Sequence, residues 1–366
     1  MSDRHANRRQ KLLHLIKREG VEALLVSNPV NVTYLTGFTG EDSFLLISRK
    51  GTTLLSDGRF TAQIGLECPG LDVLIRKPSE GLHQILAEAL RKRKITSLGV
   101  EGTHLSISSF QHLNDQTATT DLCVVPPLVE ELRLIKDAEE LAQIKLAIEH
   151  AERGYAAMKS NLLVTQTERD AAFDLEHAMR RFGANRASFD VIVAAGDRSA
   201  LPHARPTDLS IDSSDFTLVD WGASAPSGYK SDLTRIIVTG KISAKLEKIY
   251  GVVLNAQTQG IQAIRPGITG REVDEISRAV IEKAGFGKAF THSLGHGIGL
   301  DIHEGPRVSP SSDQILKAGM VVTVEPGIYL PGWGGIRIED DVLVTSDGCE
   351  VLTSVPKDLD ACRLRS

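Results

Sequence analysis

Two widely separated apolar runs in this chain end the same way. FTLVDWG (Phe216 to Gly222) and VVTVEPG (Val321 to Gly327) each close on an acid, one further residue and a glycine. Each is followed by a turn and a second acid-bearing apolar segment, which reads as an internal repeat with paired acids carried on strands. Helical spacing also comes in pairs, at 137–159 with 165–182 and at 244–264 with 270–284. Strand patterns at 190–194, 216–221 and 233–239 lie between the pairs. The expectation is a mixed α/β domain in which a helix pair and a strand group occur twice.

The residues upstream alternate differently. Helical spacing covers 8–18 and 82–93, and strands are expected at 22–27, 44–48, 53–56, 72–75 and 97–101. At Pro126-Pro127 neither a helix nor a central strand can continue, so the expected domains are 1–128 and 129–366. A length of 366 residues is enough for two cores. Gly37 to Gly40 form a short turn without a GxGxxG or GK[ST] pattern, so no nucleotide site is expected.

A net charge of -5 and a pI near 6.1 leave no basic stripe for nucleic acid and no polybasic patch for a membrane. No apolar run approaches the roughly 18 residues that span a bilayer, and MSDRHANRRQ lacks the apolar centre of a leader; a cytoplasmic location is expected. Cys68, Cys123, Cys349 and Cys362 have no CxxC spacing and read as ordinary reduced thiols.

The stretch THSLGHGIGLDIHE places His292, His296 and His303 among Gly295, Gly297 and Gly299, a composition suited to a lined cavity. Asp220 and Asp232 flank one turn, and Glu325 and Glu339 flank another. Alternation along IRIEDDVLV puts Arg337 and Glu339 on one face and Ile336, Ile338, Asp340 and Val342 on the other. Four carboxylates buried together need cations, and two divalent ions would match their charge. Oxygen ligands with an imidazole and no sulfur fit Mn²⁺, Co²⁺, Fe²⁺ or Zn²⁺. An HExxH zinc helix is excluded because position 307 is Arg307 and Gly305-Pro306 break a helix, and no GxSxG elbow marks a serine hydrolase.

LPHARP, LVDWG with GYKSDLTR, SLGHGIGLDIHEGP, VTVEPGIY and IRIEDDVLVT together resemble the Xaa-Pro peptidases of pita-bread fold, which include aminopeptidase P and prolidase. The resemblance covers nearly the whole chain. It implies a creatinase/prolidase-like N-terminal α/β domain and a C-terminal pita-bread metallopeptidase domain. It also implies a dinuclear centre, Mn²⁺ foremost, held by Asp220, Asp232, His296, Glu325 and Glu339, with Asp232 and Glu339 bridging and Glu325 shuttling protons. His203, His292 and His303 match residues that hold the substrate carbonyl and the tetrahedral intermediate, and Arg337 matches an arginine that orients carboxylates. The turn ASAPSGYK is one residue longer than is common in the family. YLTGFTG and LLSDGRF look more like aminopeptidase P, so the expected reaction is release of the residue before proline from longer peptides. A dipeptidase is the alternative, and a non-catalytic binding protein on the same fold is disfavoured by the full ligand set. A homodimer is implied as well.

Overall fold

Alternating apolar segments in the first 133 residues form one six-stranded sheet. The computed structural model describes residues 4–117 and 119–364, and the chain divides into compact units 1–133 and 134–366. In the first unit the strand order is Asp72–Arg76, Gly51–Asp57, Phe44–Ser48, Ala23–Val26, Ser97–Glu101, Asp121–Val125. Ala23–Val26 is central, antiparallel to one neighbour and parallel to the other, and all four of its residues are buried. Leu25, Leu46, Leu55, Leu86 and Leu98 share its core. Periodicity alone missed the short helix Pro29–Thr36, which is set by chemistry at its ends. Asn28 accepts from the Val30 amide, Pro29 occupies the first turn, and Gly37 ends the helix at φ 83°. The strand Asp121–Val125 stops at Pro126-Pro127, and the helix Leu128–Arg133 that follows belongs to the first unit.

In the second unit, Ala138–Asn161 packs on Glu168–Arg181, and Ala244–Ala263 on Gly270–Lys283. Asp137, Thr167 and Thr269 cap three of these helices with reciprocal capping boxes. Phe216–Trp221 lies between Leu233–Val238 and Ile192–Ala195 in an antiparallel three-stranded sheet. Its two faces feed different cores: Phe216 and Leu218 join Ile236, Tyr250 and Val322, whereas Val219 and Trp221 join Tyr155, Leu175 and Met179. That explains a continuous apolar run where a sheet wetted on one face would show alternation. Trp221 stacks on Tyr155 at 4.2 Å and donates Nε1–H to the Ala151 carbonyl.

A five-stranded sheet runs Glu304–Val308, Gly295–Gly297, Val321–Val324, Asp340–Val344, Cys349–Val351, and Gly327–Leu330 pairs separately with Gly334–Arg337. IRIEDDVLV is therefore two strands, because the chain leaves one sheet at Arg337 and enters the next at Asp340. Between them Glu339 makes an isolated bridge to Thr234, which ties the three-stranded sheet to this region. Among the described residues no helix is long and apolar enough to cross a membrane.

Candidate metal centre

Strand register decides which acids meet. Asp220 stands opposite Thr234, so Asp232, two residues earlier, is its diagonal neighbour on the same face. The connection is also longer than a tight hairpin: Ala223–Ser224 leaves to pair with Arg186–Ala187, and a smaller turn closes through the Ala225 amide on the Tyr229 carbonyl. This excursion accommodates the long ASAPSGYK turn and returns Asp232 beside Asp220. Thr234 links the two halves. Its Oγ1 accepts from Arg337 Nε (3.0 Å) and donates to Glu339 Oε2 (2.7 Å), and its carbonyl accepts from the Glu339 amide.

His296 sits in Gly295–Gly297, where neighbouring backbone leaves no room for side chains on either flank. A Cβ on Gly295 would lie 2.0 Å from the Thr323 carbonyl oxygen, and one on Gly297 would lie 1.9 Å from that of Gly305. The His296 Nδ1–H donates to the Gly297 carbonyl at 3.1 Å, which leaves the Nε2 lone pair 3.4 Å from Glu325 Oε1 and 3.7 Å from Asp232 Oδ2. Glu325 follows Val321–Val324, its amide donates to the Leu294 carbonyl, and its Oε1 accepts from Thr323 Oγ1 at 3.2 Å.

The electrostatics are those of a site short of positive charge. Burial, then the mutual repulsion of carboxylates, pushes Asp232 and Glu339 well above the usual range. Burial lifts Glu325 to about 8 against the opposing pull of Arg337, and raises Asp220 as well. Burial and His303 lower His296 to about 3, so its imidazole is neutral. A neutral Nε2 has no proton to share with the carboxylates it faces. Ligand atoms of Asp232, His296 and Glu339 lie within 4.8 Å of one another, and the buried Asp220 Oδ1 has no hydrogen-bond partner. A lone pair, an orphaned oxygen and several acids turned inward make a donor set that fits divalent cations.

Around this centre Arg337 donates to Asp220 Oδ2 and, through Nη1, to the Tyr329 hydroxyl at 2.7 Å. Both nitrogens of His292 are engaged: Nδ1–H donates to the Ser293 carbonyl, and Nε2 accepts from Tyr329 at 2.8 Å. Burial lowers His292 to about 4. His303 crosses His296 edge-on at 4.4 Å, and both it and His203 are exposed on the wall of a cavity of ≈420 Å³ that reaches Asp220, Asp232, Glu325 and Glu339. The wall of this cavity thus gathers His203, His292, His296 and His303 with Asp220, Asp232, Glu325, Arg337 and Glu339, every candidate site residue singled out in the sequence. Tyr329, Thr234 and Arg307 went unpredicted. Arg307 lines the same cavity, is exposed, and makes no side-chain hydrogen bond or ion pair among the described residues. It stands opposite His296 across Gly295–Gly297 and Glu304–Val308, a pairing that no spacing in the sequence announces.

Residues 142–346 match the model of Metallopeptidase family M24, and residues 8–135 match the Creatinase/Prolidase N-terminal domain. The chain belongs to metallopeptidase family M24. This M24 peptidase is 36% identical to an Xaa-Pro dipeptidase of Pyrococcus furiosus over 96% of its own length and 99% of the relative's. An Xaa-Pro dipeptidase structure from Bacillus anthracis superposes with a TM-score of 0.93 at 38% identity, covering 97% of this chain and 99% of that one. An X-Pro aminopeptidase structure from Thermotoga maritima gives 0.86 at 35% identity, covering 93% and 98%. The chain is therefore a metallopeptidase with a creatinase/prolidase-like N-terminal domain and a pita-bread catalytic domain, of a family that uses divalent metals.

Proposed function

We propose that this M24 peptidase hydrolyses Xaa-Pro dipeptides, using ions held by Asp220, Asp232, His296, Glu325 and Glu339. The observation that carries the reading is the proton-free face of His296 turned toward buried carboxylates in a cavity with an unpaired guanidinium, Arg307, on its wall. The aminopeptidase reading suggested by YLTGFTG and LLSDGRF gives way to the dipeptidase alternative, which the relatives named Xaa-Pro dipeptidase support. A cavity at the small end of the ligand-binding range, with a cation to meet a free C-terminal carboxylate, suits a two-residue substrate. Release of one residue from longer peptides is the rival activity, as the Thermotoga maritima structure's name illustrates.

Divalent ions, Mn²⁺ foremost and Co²⁺, Zn²⁺ or Fe²⁺ as substitutes, would supply Lewis acidity for water and for the scissile carbonyl. The chain's own residues do the rest. Glu325 takes a proton from the attacking water and returns it to the proline nitrogen; its Oε2, which makes no hydrogen bond among the described residues, is the atom that carries it. His203 and His303 hold the substrate carbonyl from the cavity wall. Arg337 keeps Asp220 turned inward, and His292, on the same cavity wall, braces Arg337 through Tyr329. A cytoplasmic homodimer belongs to the same reading. The test is turnover of Xaa-Pro dipeptides against Xaa-Pro-Xaa tripeptides after reconstitution with Mn²⁺. Preferred cleavage of dipeptides is expected, and turnover confined to tripeptides would overturn the substrate assignment. An enzyme unaffected by exhaustive chelation would overturn the ions.

A further inference from the structure

His203 rides on a segment, 196–209, whose regular structure is the single 3₁₀ stretch Gly196–Ala200 that follows the strand Ile192–Ala195. Something must hold this loop, because a side chain that meets substrate from a free loop loses its orientation. Glu168, the first residue of Glu168–Arg181, is wholly buried and points all its bonding capacity at the loop. Its Oε1 accepts from the Ala195 amide at 2.8 Å and from Arg198 Nε at 3.0 Å. Its Oε2 accepts from Arg198 Nε (3.0 Å), the Thr207 amide (2.9 Å) and Thr207 Oγ1 (2.7 Å).

A carboxylate at a helix start commonly serves the helix's own amides. Here Thr167 and Asp170 already do so through their capping box, and Glu168 is left for residues outside the helix. The backbone adds to the clamp, since the Glu168 amide donates to the Leu209 carbonyl and the Arg169 amide to that of Thr207. Arg198 passes the constraint on by donating Nη2–H to the Arg205 carbonyl at 2.6 Å, two residues beyond His203. On the far side, Ser199 Oγ accepts from the Gly335 amide at 2.7 Å, on the strand that ends in Arg337.

We propose that Glu168 is a positioning residue, which grips the loop at Ala195, Arg198 and Thr207 so that His203 is presented to the substrate. The inference rests on the role of His203 proposed above. Glu168→Gln is the informative change, because it keeps the shape yet turns an N–H₂ toward one set of donors. On the metal-loaded protein it lowers kcat/KM by about 10²-fold, mainly through kcat, with metal content unchanged. Hydrogen exchange of amides 195–207 rises while that of 321–324 stays at the wild-type rate. In a His203→Ala background the same change costs less than a factor of about two, since the side chain it positions is gone.

Equal losses in both backgrounds, lost metal, or unchanged exchange in 195–207 would each overturn the proposal. If Glu168→Gln does not fold, Thr207→Ala, which removes one grip, must show the same dependence on His203, and additivity there refutes it. A wild-type rate in His203→Ala would remove the object of the positioning and sink this inference, while dipeptide hydrolysis itself would stand. If the wild-type enzyme cleaves no proline dipeptide, the functional reading fails, and the exchange comparison alone decides whether Glu168 grips the loop.

Discussion

Replacing Asp340 with asparagine should destabilise the second unit without touching any proposed ligand. Asp340 is fully buried next to Glu339 and accepts from Arg235 Nη2 (2.7 Å), Thr353 Oγ1 (2.7 Å), Gln257 Nε2 (2.9 Å) and Lys357 Nζ. Arg235, 1% exposed, also donates to the carbonyls of Thr234, Glu339 and Val355. Asparagine can keep the Thr353 bond but leaves the guanidinium buried without its counter-charge, and breaking such a pair costs about 3–5 kcal/mol. Lys357 is partly exposed and adds little. Both tryptophans, Trp221 and Trp333, lie in this unit, so urea unfolding of chelated protein followed by fluorescence reads it alone. Burial alone would raise Asp340, but Arg235 and Lys357 override it and hold the group below its ordinary value. Its contribution is therefore present above about pH 4 and lost as pH falls through the depressed value, so the gap between wild type and variant should close on acidification. A loss below about 1 kcal/mol at pH 7, or a gap that widens in acid, would refute this account of the pair.

Other outcomes can be checked on the same protein. Glu325→Gln should lower kcat by roughly 10²–10⁴ with ions still bound, as measured by turnover and metal analysis; wild-type rates would exclude it as the proton carrier. Arg307→Met should raise KM for Xaa-Pro dipeptides by about tenfold or more, and the effect should vanish on dipeptide amides, which lack the carboxylate it is proposed to meet. In metal-free protein, Glu325 folded near 8 against about 4.5 unfolded contributes stability that is present below about pH 4.5 and lost as pH rises through 8. Chelated protein should weaken over that window, and adding Mn²⁺ at pH 7 should restore stability and release protons, detectable by calorimetry in buffers of different ionisation heat.

Much of the fold was legible because local rules agree with the tertiary result. Helix starts were visible at Asp137 and Gly270, within a residue of the observed ones, and the buried strand Phe216–Trp221 in its unbroken apolar run. The two acids that end apolar runs, Asp220 and Glu325, stood out for the same reason. What stayed hidden depends on partners distant in sequence. Arg235 and Asp340 looked like ordinary strand residues, and Glu168 like any acid at a helix start. Arg307 drew notice only as the wrong residue for a zinc helix, because alternation does not say which side chain is left without a partner. The break in IRIEDDVLV was invisible since alternation continues across the passage from one sheet to the other.

The bridge between Thr234 and Glu339 has a consequence for how the protein is made. The two residues are 105 positions apart, and the isolated bridge between them brings Glu339 to the strand that follows Asp232. During synthesis Asp220 and Asp232 leave the ribosome long before the residues that complete their surroundings. A nascent chain therefore holds half a nest of carboxylates with nothing to close it. On the proposed ligand set, the full complement of donors exists only once Glu339 has docked against Thr234, so complete metal loading would act as a checkpoint on a finished fold and not as a seed for one.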